Sequence, residues 1–136
     1  MIQVTNNWQQ LEEDMKDFSG EWHGFKPEVL VNDEENILLT DNNGNYSLFE
    51  YKSEGVYEGH YLFKNARGRA AVKVSKEMLD KFFSFPFVVA VVGRTPDYHK
   101  GALWLNKQLG FETITTQERE GTEYEVVLLT RERFNK

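Results

Sequence analysis

Two spacings of apolar residues alternate along this chain, and each switch between them marks a new element. Residues 2-IQV-4 read as a short opening strand. Trp8, Leu11, Met15 and Phe18 then recur at helical spacing behind a capping Asn6 or Asn7, which predicts a helix over 8–18. Residues 19–33 hold no steady period and read as a loop carrying a short second helix. From Asn36 the pattern is that of strands. ILLT (37–40), YSLFEY (46–51) and VYEGHYLF (56–63) follow one another, punctuated by the turn sequences DNNGN and KSEG.

A helix is predicted from near Gly68, with Ala71, Val74, Met78 and Phe82 on one stripe and Lys73, Lys76, Asp80 and Lys81 opposite. FVVAVVG (87–93) is apolar at nearly every position, the pattern of a strand covered on both faces, and is expected to be the most buried strand of a sheet. Thr95-Pro96-Asp97 opens a further helix, in which Tyr98, Ala102, Leu105 and Leu109 align and Gly110 takes the C-terminal cap. The tail 111–134 reads as a hairpin turning near Glu120-Gly121. The predicted order, β-α-(α)-β-β-β-α-β-α-β-β, is that of an α/β chain with an antiparallel meander at its centre.

Composition narrows the class. At 136 residues and 40% hydrophobic content, one domain spanning 1–136 can bury a core of its own. The absence of cysteine removes disulfides, thiolate catalysis and Cys-based zinc sites. A formal net charge of -6 makes the chain a poor partner for nucleic acid, whose phosphates require Lys and Arg. No apolar run reaches the length of a membrane span, and MIQVTNNWQQLEEDM lacks the regions of a signal peptide, so a cytoplasmic protein with no membrane partner is expected. The three histidines have no metal-ligand spacing, and neither a Gly-x-Ser-x-Gly nor a Walker sequence is present.

The corner 64-KNARGR-69, followed by Ala70 and Ala71, has two explanations. It is an anion site, where the unpaired N–H groups and dipole of a helix start meet small residues that admit a phosphate. Otherwise it is an ordinary glycine turn with solvated arginines.

Topology and two segments together resemble the GNAT superfamily of acyl-CoA-dependent N-acetyltransferases. The family's turn of pattern Arg/Gln-x-x-Gly-x-Gly/Ala fits here in two registers. With Arg67 first, the preferred one, Ala70 and Val72 stand where glycines are usual; with Asn65 first, Gly68 and Ala70 fit and Asn replaces Arg or Gln. In 95-TPDYHKGALWLNKQLGFETI-114, Ala102, Leu105, Gly110 and Phe111 match the family's fourth helix, Asn-x-x-Ala-x-x-Leu-Tyr-x-x-x-Gly-Phe, while His99 replaces its Asn and Asn106 its Tyr. GVYEGHYLFKNARGRAA and VVGRTPDYHKGALWLNKQLGF look especially like the small GNAT-like proteins of tailed phages, which would place the protein in host cytoplasm.

The resemblance implies a mixed, mostly antiparallel, splayed sheet flanked by helices on both faces, with the strand 56–63 ending in a splayed bulge. It implies acetyl-CoA as co-substrate, with its pyrophosphate over Arg67, Gly68, Arg69, Ala70, Ala71 and Val72 and its pantetheine beside Leu62 and Phe63. His99, Leu103 and Asn106 would face the cofactor arm. The acceptor would be an amine, small-molecule or protein, and the assembly a monomer or homodimer. The proton acceptor is then Glu58 or His60, two apart and so on one face of the strand, with desolvation tuning the glutamate upward. The pair also reads as a plain surface or structural contact. Asn106 cannot donate a proton as Tyr does, leaving Tyr98, His99 or water for that step. The alternative function is a GNAT-shaped binding or virion-associated protein without the chemistry.

Overall fold

The structure is a computed structural model that describes residues 1–16 and 26–136. Helix α1 (Trp8–Asp14) begins where expected, its cap being Asn7, whose side chain accepts from the Gln10 N–H. The expected last turn, with Phe18, and the loop residue His23 lie outside the described residues. Helix α2 (Pro27–Asn32) is the short helix expected before the meander, with Pro27 in its first turn.

Strands β1 (Gln3–Val4), β2 (Ile37–Thr40), β3 (Asn45–Ser53) and β4 (Val56–Phe63) pair antiparallel in succession. Helix α3 (Arg69–Phe83) crosses over to β5 (Ala90–Pro96), which lies parallel to β4. Helix α4 (Lys100–Leu109) leads to the hairpin of β6 (Glu112–Arg119) and β7 (Thr122–Thr130), and α5 (Arg131–Phe134) ends the chain. The sheet order is β1-β2-β3-β4-β5-β7-β6. This is the expected α/β arrangement: a mixed, mostly antiparallel sheet with helices on both faces. The predicted turns fall on left-handed residues: Asn42 and Gly44, Gly55, and Glu120-Gly121. No described helix is long and apolar enough to cross a membrane.

Period two along the strands sorts the core into two layers. Leu39, Phe49, Tyr57 and Val91 pack with Met78, Phe82 and Leu105 of α3 and α4, the Phe49 and Phe82 rings stacked at 3.8 Å. Leu38, Tyr46 and Leu48 pack on the other face with Leu11 and Met15.

Four expectations need correction. The apolar run begins its strand only at Ala90; Phe87 and Val89 precede it and are 53% and 56% exposed. Nor is β5 the most buried strand. It is central and paired on both sides, yet Gly93 and Arg94 are not buried, whereas the first five residues of β3 all are. The physical reason is the splay: β4 and β5 pair only at Val56–Ala90, Tyr57–Val91 and Glu58–Val92, then part. Further, β4 does not end in a bulge. Its pairing with β3 runs unbroken from Asn45–Phe63 to Tyr51–Tyr57, and the register shift falls at the hairpin end, between Tyr51 and Ser53. The opening therefore lies where β4 stays paired with β3 and β5 with β7 while the two part from each other. The last segment also differs, since residues 131–134 leave the hairpin as α5, capped by the Thr130 hydroxyl.

Candidate active site

Between the diverging halves of β4 and β5 lies a cleft of about 1060 Å³, walled also by the start of α3, by α4 and by the β6–β7 hairpin. Among the residues expected to form a site, Glu58, His60, Leu62, Phe63, Arg67, Gly68, Ala71, His99 and Asn106 line it. Arg69, Ala70, Val72 and Leu103 do not belong to its wall.

The corner at the cleft's far end is built by Asn45, a residue that no sequence motif marks. Asn45 is buried, and its Oδ1 accepts from the N–H groups of Asn65 (3.0 Å) and Ala66 (3.2 Å), while its Nδ2 donates to Asp41. That ties the end of β4 to the β2–β3 turn and aims the chain into α3. Gly68 is the N-cap, at φ 56 and ψ -130, a conformation essentially reserved to glycine. Ala70 and Val72 are already helical, so the one position whose backbone demands glycine is Gly68. That supports the motif register starting at Asn65 over the preferred one starting at Arg67. A Cβ added at Gly68 would meet nothing within 4 Å, leaving open space above the helix start. The N–H groups of Gly68 and Arg69 donate to no described residue. Arg67 folds back, its Nη1 donating to the carbonyls of Phe63 (3.2 Å) and Ala66 (2.8 Å). Gly68→Val is expected to cost about 1–3 kcal/mol of stability through backbone strain, measurable by urea unfolding.

At the branch point, Glu58 and His60 share one face, as their spacing required. They do not act alone. Their neighbours are Glu50, beside them on β3, and Arg94, across the opening on β5. Glu58 is buried and held through both of its oxygens: Arg94 Nε donates to Oε2 at 3.2 Å and Nη2 to Oε1 at 3.1 Å. Lys52 Nζ lies 3.5 Å from Oε1 of Glu58 and from Oε1 of Glu50. Burial pushes the Glu58 carboxyl upward, but the Arg94 hydrogen bonds, with the charges of His60, Arg94 and Lys52, hold it below the usual carboxylate range. Desolvation alone would tune this glutamate up, as expected from sequence; the ion pair reverses the direction. His60 Nε2 lies 3.3 Å from Oε1 of Glu50, and its side chain is half-buried. One ligand atom each from Glu50, Glu58 and His60 come within 4.8 Å of one another, but Arg94 and Lys52 set two positive charges against any cation there.

The α4 side is less reactive than its place suggests. The buried Asn106 amide donates to Thr95 Oγ1 at 3.0 Å, a bond that pins α4 to β5. His99 is the helix N-cap, its Nδ1 accepting from the Ala102 N–H at 3.3 Å, and is exposed. Tyr98 is 66% exposed at the cleft rim. No local signal marks Glu50 or Asn45 as site residues. For Arg94, the one legible clue is a charged residue directly after the apolar run 87–93.

No protein-family profile matches the chain, and no curated protein matches it. Solved structures do. AAC(6′)-Ib in complex with paromomycin and acetyl-CoA superposes with a TM-score of 0.75 at 15% identity, covering 100% of this chain and 96% of that one. A spermidine N-acetyltransferase SpeG chimera from Vibrio cholerae and hSSAT gives 0.78 at 12% identity, covering 100% and 99%. A GNAT-family acetyltransferase from Bacillus anthracis gives 0.68 at 12% identity, covering 96% and 95%. The chain therefore has the GNAT fold, over its whole length.

Proposed function

We propose that this protein transfers an acetyl group from acetyl-CoA to a small-molecule amine. The observation that carries the proposal is the cleft itself. A glycine-capped helix start with unclaimed N–H groups and a histidine–carboxylate pair share one wall where two parallel strands part. Structural neighbours hold acetyl-CoA and coenzyme A in this fold, and their acceptors include aminoglycosides and spermidine.

The residues fit the co-substrate. The open space over Gly68 and the N–H groups of Gly68 and Arg69 suit a pyrophosphate, with Arg67 at the rim and Leu62 and Phe63 offering apolar contact to the arm. Acetyl-CoA supplies the acyl thioester. The amine must reach it uncharged, and His60 takes that proton. Glu50 positions His60: a carboxylate accepting from Nε2–H selects the tautomer whose Nδ1 carries the lone pair. As the C–N bond forms and the C–S bond breaks, the nitrogen gives up its second proton, which reaches the departing CoA thiolate directly or through water. Glu58, already an anion bound by Arg94, is a poorer base than His60.

Calorimetric titration with acetyl-CoA and with free CoA tests the reading, and absence of binding would end it. Arg67→Ala/Arg69→Ala is expected to weaken binding by about 1.5–3 kcal/mol for each charged hydrogen bond to phosphate that it removes. One observation favours a second reading, a GNAT-shaped binding protein without turnover: at that position α4 carries Asn106, an amide that cannot serve as an acid and is itself bonded to Thr95.

A further inference from the structure

We propose that the acceptor amine carries a carboxylate, and that this carboxylate docks on the outer edge of Arg94. The inference rests on the acyl-transfer reading above and names its acceptor class.

Charge balance at the branch point comes first. The described carboxylates there, Glu50 and Glu58, are both engaged: Arg94 donates twice to Glu58, Lys52 stands 3.5 Å from each, and His60 lies 3.3 Å from Glu50. A polycation entering the cleft would meet no uncompensated negative charge among these groups, and it would face the fixed charge of Arg94. The other described charged residues of the cleft wall, Arg67, Arg119 and Glu120, lie at the α3 corner and on the β6–β7 hairpin.

The geometry of Arg94 supplies the positive half. A guanidinium has five N–H donors in a planar fork. Glu58 occupies the side made by Nε and Nη2, while Nη1 has no acceptor among the described residues. The side chain is 37% exposed and lines the cleft. Its second fork, Nη1 with the outer N–H of Nη2, is thus held rigid by a buried carboxylate and offered to the opening. That is the shape a planar anion takes bidentately. Arg94 also lies two residues beyond the last β4–β5 pair, across the opening from the strand that bears His60. One ligand can then set its carboxylate on Arg94 and its amine toward His60.

The test uses the full chain with acetyl-CoA, following release of CoA thiol. The acceptors are the ω-amino carboxylates from glycine to aminohexanoate, each beside its amide, with spermidine and kanamycin as polycations. At least one carboxylate is expected to exceed its amide in kcat/KM by about tenfold or more, the scale of a charge-assisted contact. Arg94→Gln should bring that ratio toward one. Because this variant strands Glu58, Glu58→Gln/Arg94→Gln, which removes both charges, serves as a second test with the same expected loss. The proposal is overturned if carboxylates and amides react alike, if either polycation is preferred, or if the preference survives in both variants. Calorimetry separates the two levels. CoA binding without turnover of any amino carboxylate overturns this proposal alone, whereas failure to bind CoA overturns the acyl-transfer reading beneath it.

Discussion

His60→Gln is expected to lower turnover by roughly 10²–10⁴ while leaving acetyl-CoA affinity nearly unchanged, because a positioned general base contributes on that scale and this one stands apart from the anion corner. Glutamine keeps a polar side chain of similar reach but cannot accept and hold a proton. Glu50→Gln should cost less. With the carboxylate gone, the His60 ring loses the partner 3.3 Å away that orients it, so turnover should fall in part while CoA binding is unchanged. Glu58→Gln should not reproduce either effect. Steady-state kinetics across pH, with calorimetry on each variant, separates the three; wild-type turnover in His60→Gln would assign the base elsewhere.

Arg94→Ala is the second large effect, and it is one of stability. Removing one partner of a buried pair leaves the other charged and poorly solvated, typically at about 3–5 kcal/mol. Here Arg94 is itself 37% exposed and Lys52 also reaches Glu58, so a smaller effect, about 2–3 kcal/mol, is expected. The sign with pH follows from Glu58, whose folded carboxyl sits below its usual range. A depressed carboxylate contributes stability that is present above its unfolded pKa and lost as pH falls through the folded one. The gap between wild type and Arg94→Ala should therefore be full at neutral pH and shrink in acid, as protonation removes the stranded charge. Urea unfolding at neutral and at acidic pH measures it. A gap that is unchanged in acid would mean that the loss comes from packing by the arginine stem.

Local chemistry explains what the sequence by itself determined. Hairpin turns at Asn42–Gly44 and Glu120-Gly121, the Gly110 cap, the amphipathic stripe of α3 and the shared face of Glu58 and His60 all depend on residues within a few positions of one another, where backbone preference and period two or 3.6 act directly. The order of elements was legible for the same reason, and the GNAT resemblance rested on that order together with the motif segments within 56–114. Three features belonged to the tertiary structure alone. The burial of β5 depended on where β4 leaves it, which no property of the run VVAVVG encodes. The start of α3 at Gly68, and with it the register of the anion corner, depended on Asn45, some twenty residues upstream, satisfying two backbone donors at once. And the chemistry of the Glu58–His60 pair was set across strands: Arg94 claims Glu58 from β5 and Glu50 approaches His60 from β3, turning two equivalent candidate bases into one fixed anion and one oriented histidine. Spacing along a strand decides which way a side chain points. Only the packing of strands decides which charges it meets there, and at Glu58 burial is the largest single influence but the Arg94 hydrogen bonds and the charges of His60, Arg94 and Lys52 together outweigh it.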